Sequence, residues 1–251
     1  MSLILTDPGT TATITFNDPD RHNTLSLAMF SELEAALDEI EADASGTSLL
    51  LRGLGPSFCA GLDILGGEDR TDRIETLLRS LSSVARRLRR MPRVVVAEVH
   101  GNALAGGCAL LSACDIVCVE PDARIGYPVH QLGLSPAVSI PTLAKAITPG
   151  NARALMLSGQ IIDGREAYRI GLAHHLAESK EELPSIAAGL CTDLADKGRN
   201  ALKATKAWLN EVCSDEEDAL FDSTLEASVL SCRSDEATTM LDAFWSRTKK
   251  S

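Results

Sequence analysis

The chain of 251 residues predicts an α/β fold built on a mostly parallel sheet, and three observations carry that expectation. Through Val119, short β-rich runs alternate with amphipathic stretches, the rhythm of βαβ units. The run 94–99 reads as a strand buried on both faces, as parallel strands are. A glycine-rich turn at 101–109 follows it directly and opens a short helix.

Taken in order, residues 3–5 and 12–16 read as two short strands around the turn Asp7-Pro8-Gly9. Ser26 then offers an N-cap to a helix whose Phe30, Leu33, Leu37 and Ile40 recur at helical spacing. Residues 49–51 form a buried-type strand. Residues 72–90 form an amphipathic helix with Ile74, Leu77, Leu81, Val84 and Leu88 on one stripe. Arg86, Arg87, Arg89 and Arg90 near its end suit the negative pole of the helix dipole, and Pro92 stops it. Residues 115–119 give the next strand. Beyond about residue 135 the pattern predicts helices alone, at 142–147, 151–158, 164–171, 184–197, 200–212, 216–231 and 235–246. The division expected is an α/β core over 1–195 and a charge-rich helical region over 196–251, an oligomerisation unit.

Composition narrows the classes of function. Apolar residues make up 45% and charged residues 24%, as in an ordinary globular protein, and a chain of this length buries roughly three-quarters of its unfolded surface. No apolar run approaches the ~20 residues of a membrane span, and the opening residues do not read as a signal peptide. The net charge of −11 argues against nucleic-acid binding, though an anionic small ligand could still be held locally. Seven cysteines without a C-x-x-C pair read as reduced thiols of a cytoplasmic protein, used as small hydrophobes, and not as a metal site.

Two loops carry the chemistry. Ser57-Phe58-Cys59-Ala60-Gly61-Leu62-Asp63-Ile64 follows one strand, and Gly101 to Ala109 follows the next. Each puts small residues where a backbone must approach a ligand. In the second, Gly106 and Gly107 precede a helix, so free N–H groups and the positive helix pole face whatever binds there.

Together with Arg21-His22-Asn23-Thr24-Leu25, Cys114-Asp115-Ile116, Ile125-Gly126-Tyr127-Pro128, Leu132-Gly133-Leu134-Ser135-Pro136 and Leu157-Ser158-Gly159, these loops resemble the crotonase superfamily, the enoyl-CoA hydratase/isomerase family. Phe58 to Ile64 is similar to its F-C-A-G-A-D-L motif, and Val99 to Cys108 to V-N-G-x-A-L-G-G-G-C. The resemblance implies a spiral of ββα units, a C-terminal helical trimerisation region, acyl-CoA thioesters as ligands, and no cofactor beyond the CoA of the substrate. It implies a homotrimer or a dimer of trimers. It gives the oxyanion-binding backbone N–H groups to Ala60 and Gly106. Contacts to CoA fall to Arg21, near the phosphates, and to Leu25, Leu62, Asp63 and Ile64, near the adenine and the mouth of the acyl tunnel. For Asp63 a plain helix N-cap is the alternative.

The sequence departs from the family where hydratases carry two glutamates, one as base on water and one as proton donor to the α-carbon. Those positions hold Ala109 and Val129. Ordinary two-glutamate hydration is therefore not expected. His130 and Tyr127 are the substitute proton-transfer candidates, and His100 reads rather as a hydrogen-bonded structural residue. His22, His174 and His175 read as surface or turn residues. Asp69, Asp72 and Glu75 fall on the segment that covers the acyl pocket in this family, and Arg247 or Lys249 at the end could reach a neighbour's CoA. Two functions remain in competition: an acyl-CoA enzyme working through a backbone oxyanion hole, and a protein that binds acyl-CoA without chemistry.

Overall fold

The computed structural model of the protein describes residues 2–65, 70–212 and 217–248. The larger sheet contains β1 (Ile4–Asp7), β2 (Thr11–Phe16), β3 (Ser48–Gly53), β4 (Val94–Val99) and two strands from later in the chain, β6 (Ile116–Val119) and β9 (His175–Leu176), in the order β1-β2-β3-β4-β6-β9. Only β1 runs antiparallel; every other pairing is parallel. A second sheet holds β5 (Asn102–Leu104), β7 (Arg124–Gly126) and β8 (Ile161–Ile162) in the order β5-β7-β8.

The two sheets are threaded as one spiral. From β4 the chain passes to β5 and into α3 (Gly106–Ala113), and from β6 to β7 and on to α4 (Ile140–Ala146). Each turn gives one strand to each sheet and then a helix. Earlier turns abbreviate the second strand to single bridges, Cys59 with Ala103 and Leu25 with Leu62. The remaining helices are α1 (Leu27–Ala42), α2 (Arg70–Arg90), α5 (Pro149–Ser158), α6 (Gly164–Arg169), α7 (Leu183–Ala195), α8 (Arg199–Val212), α9 (Glu217–Cys232) and α10 (Asp235–Thr248). The α/β class and the helical C-terminus stand as expected. The strands do not stop near residue 135, however: β8 and β9 are two-residue strands, too short to show a period of two. Likewise β5 and β7, three residues each, were hidden among turn signals.

Local chemistry explains the main boundaries. Ser26 caps α1 by accepting the Met29 N–H at 3.1 Å. Thr148 and Asp163 cap α5 and α6 in the same way. The larger sheet is covered on both faces. Leu50, Val96 and Cys118 pack against Leu183, Ala187, Cys191 and Leu194 of α7, and the opposite face belongs to the main core.

The helices beyond 196 do not stand apart. Val229, Cys232, Ala237, Leu241 and Trp245 lie in the same core cluster as the strands. Val229 is buried and Leu225 packs on the core, while Leu220 stays exposed. Arg86 and Arg90 of α2 reach Asp218, Arg86 also reaches Asp222, and Arg79 reaches Glu226, all on α9. Arg233 joins Asp72 and Glu75, so those two carboxylates clamp the C-terminal helices to α2. The chain's own C-terminal region thereby roofs its own core. Asp69 and Lys249 fall outside the described residues, as does Cys213; the six described cysteines are free and buried.

Candidate active site

A mainly apolar cavity of about 40 Å³ opens where α2, α9 and the first residue of α3 converge. Leu62, Leu78, Gly106, Tyr127, Val129 and Ser139 are among its walls.

Hydrogen bonding decides which backbone donors face it. In the parallel bridge between Leu25 and Leu62, Leu25 N–H donates to Gly61 O at 2.7 Å and Leu25 O accepts from Asp63 N–H at 3.0 Å. Such a bridge uses both polar groups of Leu25 and leaves those of Leu62 on the other side of its strand. The Leu62 N–H accordingly finds no backbone acceptor among the described residues. Gly106 is the first residue of α3, so its N–H has no partner within the helix. The two residues are neighbours: a Cβ placed on Gly106 would lie 3.3 Å from Leu62 Cδ2.

This corrects one expectation. The Ala60 N–H donates to His22 O at 3.0 Å, and Ala60 is not a wall of the cavity. The N–H without a backbone acceptor beside the cavity is that of Leu62, two residues on. Alternation along an extended segment would have suggested that Ala60 and Leu62 point alike, and only the His22 carbonyl separates them.

Local conformation aims these donors. Gly61 sits at φ +110°, where glycine is at home, and Gly107 has room for no side chain, since a Cβ would fall 2.2 Å from Cys59 O. Ala105, the N-cap of α3, sits at φ 47° and ψ −106°, a conformation costly for a residue with a Cβ. The sequence places alanine where the resembling motif has glycine. Asn23, fully buried, ties its own turn to the segment 54–57, donating to Leu54 O and Ser57 O and accepting from Asp18 N–H. His22 and Asn23 both adopt positive φ to make this possible.

Next to Leu62, Asp63 is buried beneath two arginines, Arg21 at 2.9 Å and Arg73. The hydrogen bond to Asp63 is the main cause that raises the Arg21 pKa above its ordinary value. No helix begins at Asp63, which removes the N-cap reading. Arg21 remains half exposed. Leu25 is fully buried, so its side chain offers no surface to a ligand, contrary to expectation. Ile64 is half-buried, and its carbonyl accepts the Trp245 indole N–H at 2.9 Å.

The proton-transfer candidates separate. Tyr127 lines the cavity with no exposed surface and its hydroxyl finds no hydrogen-bond partner. Burial above all pushes its pKa well up, with buried Cys108 beside it adding to the effect, so it is a neutral phenol. His130 is exposed and lines a different cleft, with Ile140, Arg153 and Met156, outside this cavity. It lies in a 3-10 turn, His130–Leu132, and is not among the cavity's walls, so the expectation of an imidazole at the site is not met. His100 is structural as expected: it is buried, with Nε2 3.0 Å from Gly55 O. Burial raises the Cys59 and Cys108 thiols to about 12, so neither is a nucleophile at neutral pH. Val129 lines the cavity and Ala109 is buried outside its walls; among the described residues no wall residue carries a carboxylate. Among the described residues no cluster of metal ligands occurs.

Two backbone N–H groups without a backbone acceptor among the described residues thus lie beside one mainly apolar cavity. The spiral of two threaded sheets that presents them is shared with known proteins. A profile of the enoyl-CoA hydratase/isomerase family matches residues 6–250, and the chain belongs to that family. It is 32% identical over 213 residues to the short-chain-enoyl-CoA hydratase of Clostridium acetobutylicum, covering 83% of this chain and 81% of that one. The crotonyl-CoA hydratase of Syntrophomonas wolfei is 30% identical over 213 residues, 84% of this chain and 82% of its own. Among solved structures, an enoyl-CoA hydratase/isomerase from Xanthobacter autotrophicus superposes with a TM-score of 0.87 at 27% identity, covering 99% of this chain and 93% of that one.

Proposed function

We propose that the protein binds acyl-CoA thioesters and polarises the thioester carbonyl between the Leu62 and Gly106 N–H groups. The observation that carries this reading is the pair of unspent donors beside one apolar cavity. An enolate or tetrahedral oxyanion placed between them would be stabilised without reorganisation, and a single such donor is worth about 3 kcal/mol. Arg21, held by Asp63 yet half exposed, is placed to meet a CoA phosphate at the mouth.

The reaction is not two-carboxylate hydration. Ala109 and Val129 cannot move protons, and each missing acid or base forgoes about 10²–10⁴-fold. A second reading, binding of acyl-CoA without turnover, is favoured by the same carboxylate-free wall. Incubation with an acyl-CoA panel, followed by mass spectrometry for hydration, isomerisation, hydrolysis and decarboxylation, separates the two. Binding with product supports the enzyme, binding without product supports the carrier, and no binding at millimolar ligand refutes both. Crotonyl-CoA hydration should be orders of magnitude below that of a two-glutamate hydratase, and Ala109→Glu with Val129→Glu should raise it.

The assembly we infer is a trimer or a dimer of trimers. Trp208, Leu209 and Val212 form an exposed apolar edge on α8 that association would cover. Light scattering at micromolar concentration should return three or six chain masses, and a single chain mass would refute it. Buried reduced thiols fit a cytoplasmic setting.

A further inference from the structure

The loop that carries the Leu62 N–H is tied down on both sides of that residue. Before it, Gly61 O accepts the Leu25 N–H at 2.7 Å. After it, Asp63 N–H donates to Leu25 O at 3.0 Å, and the Asp63 carboxylate takes Arg21 and Arg73. The Leu62 carbonyl accepts the Ile64 N–H at 3.0 Å, which closes a three-residue turn centred on Asp63. The carbonyl that ends this turn, Ile64 O, takes its hydrogen bond from the far end of the chain, the Trp245 indole N–H at 2.9 Å. An indole N–H can only donate, and Trp245 is buried in the main core, so this acceptor fixes the ring edge. The ring face is fixed as well. The Arg70 guanidinium of α2 lies 4.1 Å above it, and Asp242, one turn earlier on α10, pairs with Arg70 at 3.7 Å. An apolar ring would fill the same core position; the indole adds one directed donor, two residues from the Leu62 amide.

We propose that Trp245 is a positioning residue for the Leu62 donor: by holding Ile64 O it holds the turn 62–64, and with it the direction of the Leu62 N–H. This rests on the reading above, in which a thioester carbonyl lies between Leu62 and Gly106. Trp245 is not among the cavity's walls, so it acts through the loop and not on the ligand. The C-terminal helix α10 thereby sets the geometry of a backbone donor as well as covering the core. Small misplacements of such a group are costly, because the strength of its hydrogen bond depends on aim. The coupling runs both ways. A ligand carbonyl that engages the Leu62 N–H must stabilise the indole bond by the same factor, and a ligand without that carbonyl must not.

The test compares the wild type with Trp245→Phe, which keeps an aromatic ring beneath Arg70 and removes the N–H. The probes are acetyl-CoA, labelled with carbon-13 at the carbonyl, and S-ethyl-CoA, the thioether that lacks it. In the wild type the bound carbonyl stretch should fall in frequency, and in Trp245→Phe at saturating ligand that fall should shrink. Calorimetry should show the preference for acetyl-CoA over S-ethyl-CoA dropping about two- to tenfold in the variant, with S-ethyl-CoA affinity unchanged. A role confined to packing lowers the melting temperature and leaves the carbonyl shift intact. A shift of wild-type size in Trp245→Phe, or an equal loss of affinity for both ligands, would overturn the inference. If the variant does not fold, hydrogen exchange of the Trp245 indole N–H in the wild type decides, its resonance distinguished from that of Trp208 by Trp208→Phe. Acetyl-CoA should slow that exchange more than S-ethyl-CoA does, and equal exchange would overturn the inference. Absence of a carbonyl shift in the wild type would refute the Leu62–Gly106 reading itself, whereas a wild-type shift that survives Trp245→Phe refutes only this one.

Discussion

Gly106 shows how much rests on single backbone atoms. Gly106→Pro removes the donor at the first position of a helix, where proline is otherwise tolerated, and Gly106→Ala keeps it. The proline variant should lose about 10²–10³-fold in any turnover that builds an oxyanion, measured against the alanine variant with both shown folded by circular dichroism. Ala105 offers a stability test. Its backbone strain is worth about 1–3 kcal/mol, and glycine gives back about 0.5–1 kcal/mol through the unfolded chain. Ala105→Gly should therefore gain about 1 kcal/mol in urea denaturation. His100 offers a pH test. Burial lowers its pKa, so below its unfolded value of about 6.5 the unfolded chain takes up a proton that the folded one resists. Stability must fall as pH drops through that window, and His100→Asn should flatten the decline between pH 7.5 and 5.5.

At the scale of elements, long amphipathic stretches were legible in the sequence because burial imposes the period that sequence displays. The stripe of α2 and the cap of α1 lie where the pattern puts them. The three-residue strands β5 and β7 were not, since they are specified by pairing with each other across the chain. The candidate site was legible to the loop and not to the atom. Glycines at 61, 106 and 107 marked close approach, but choosing Leu62 over Ala60 required knowing that the His22 carbonyl takes the Ala60 N–H. His130 failed for a related reason: a 3-10 turn decides where consecutive side chains go, and nothing in Pro128-Val129-His130 announces one.

For the whole molecule, α9 and α10 belong to the cavity's construction. Ser228 is one of its walls, and Trp245 reaches back to Ile64 beneath the Arg70 guanidinium, 4.1 Å above its ring. Two kinds of contact hold this roof, and their magnitudes differ. The exposed pairs from Arg79, Arg86, Arg90 and Arg233 are each worth about 0–1 kcal/mol. Burial of Trp245 is worth more, so Trp245→Ala should cost about 3–5 kcal/mol and Arg233→Gln under about 1 kcal/mol in urea denaturation.

The central claim is that a thioester carbonyl lies between the Leu62 and Gly106 N–H groups. Isotope-edited infrared spectroscopy of acetyl-CoA, labelled with carbon-13 at the carbonyl and bound to the protein, tests it most directly. The account predicts a carbonyl stretch shifted to lower frequency on binding, with that shift reduced in Gly106→Pro and retained in Gly106→Ala. A bound carbonyl vibrating at its solution frequency, or a shift indifferent to the loss of the Gly106 donor, would contradict it.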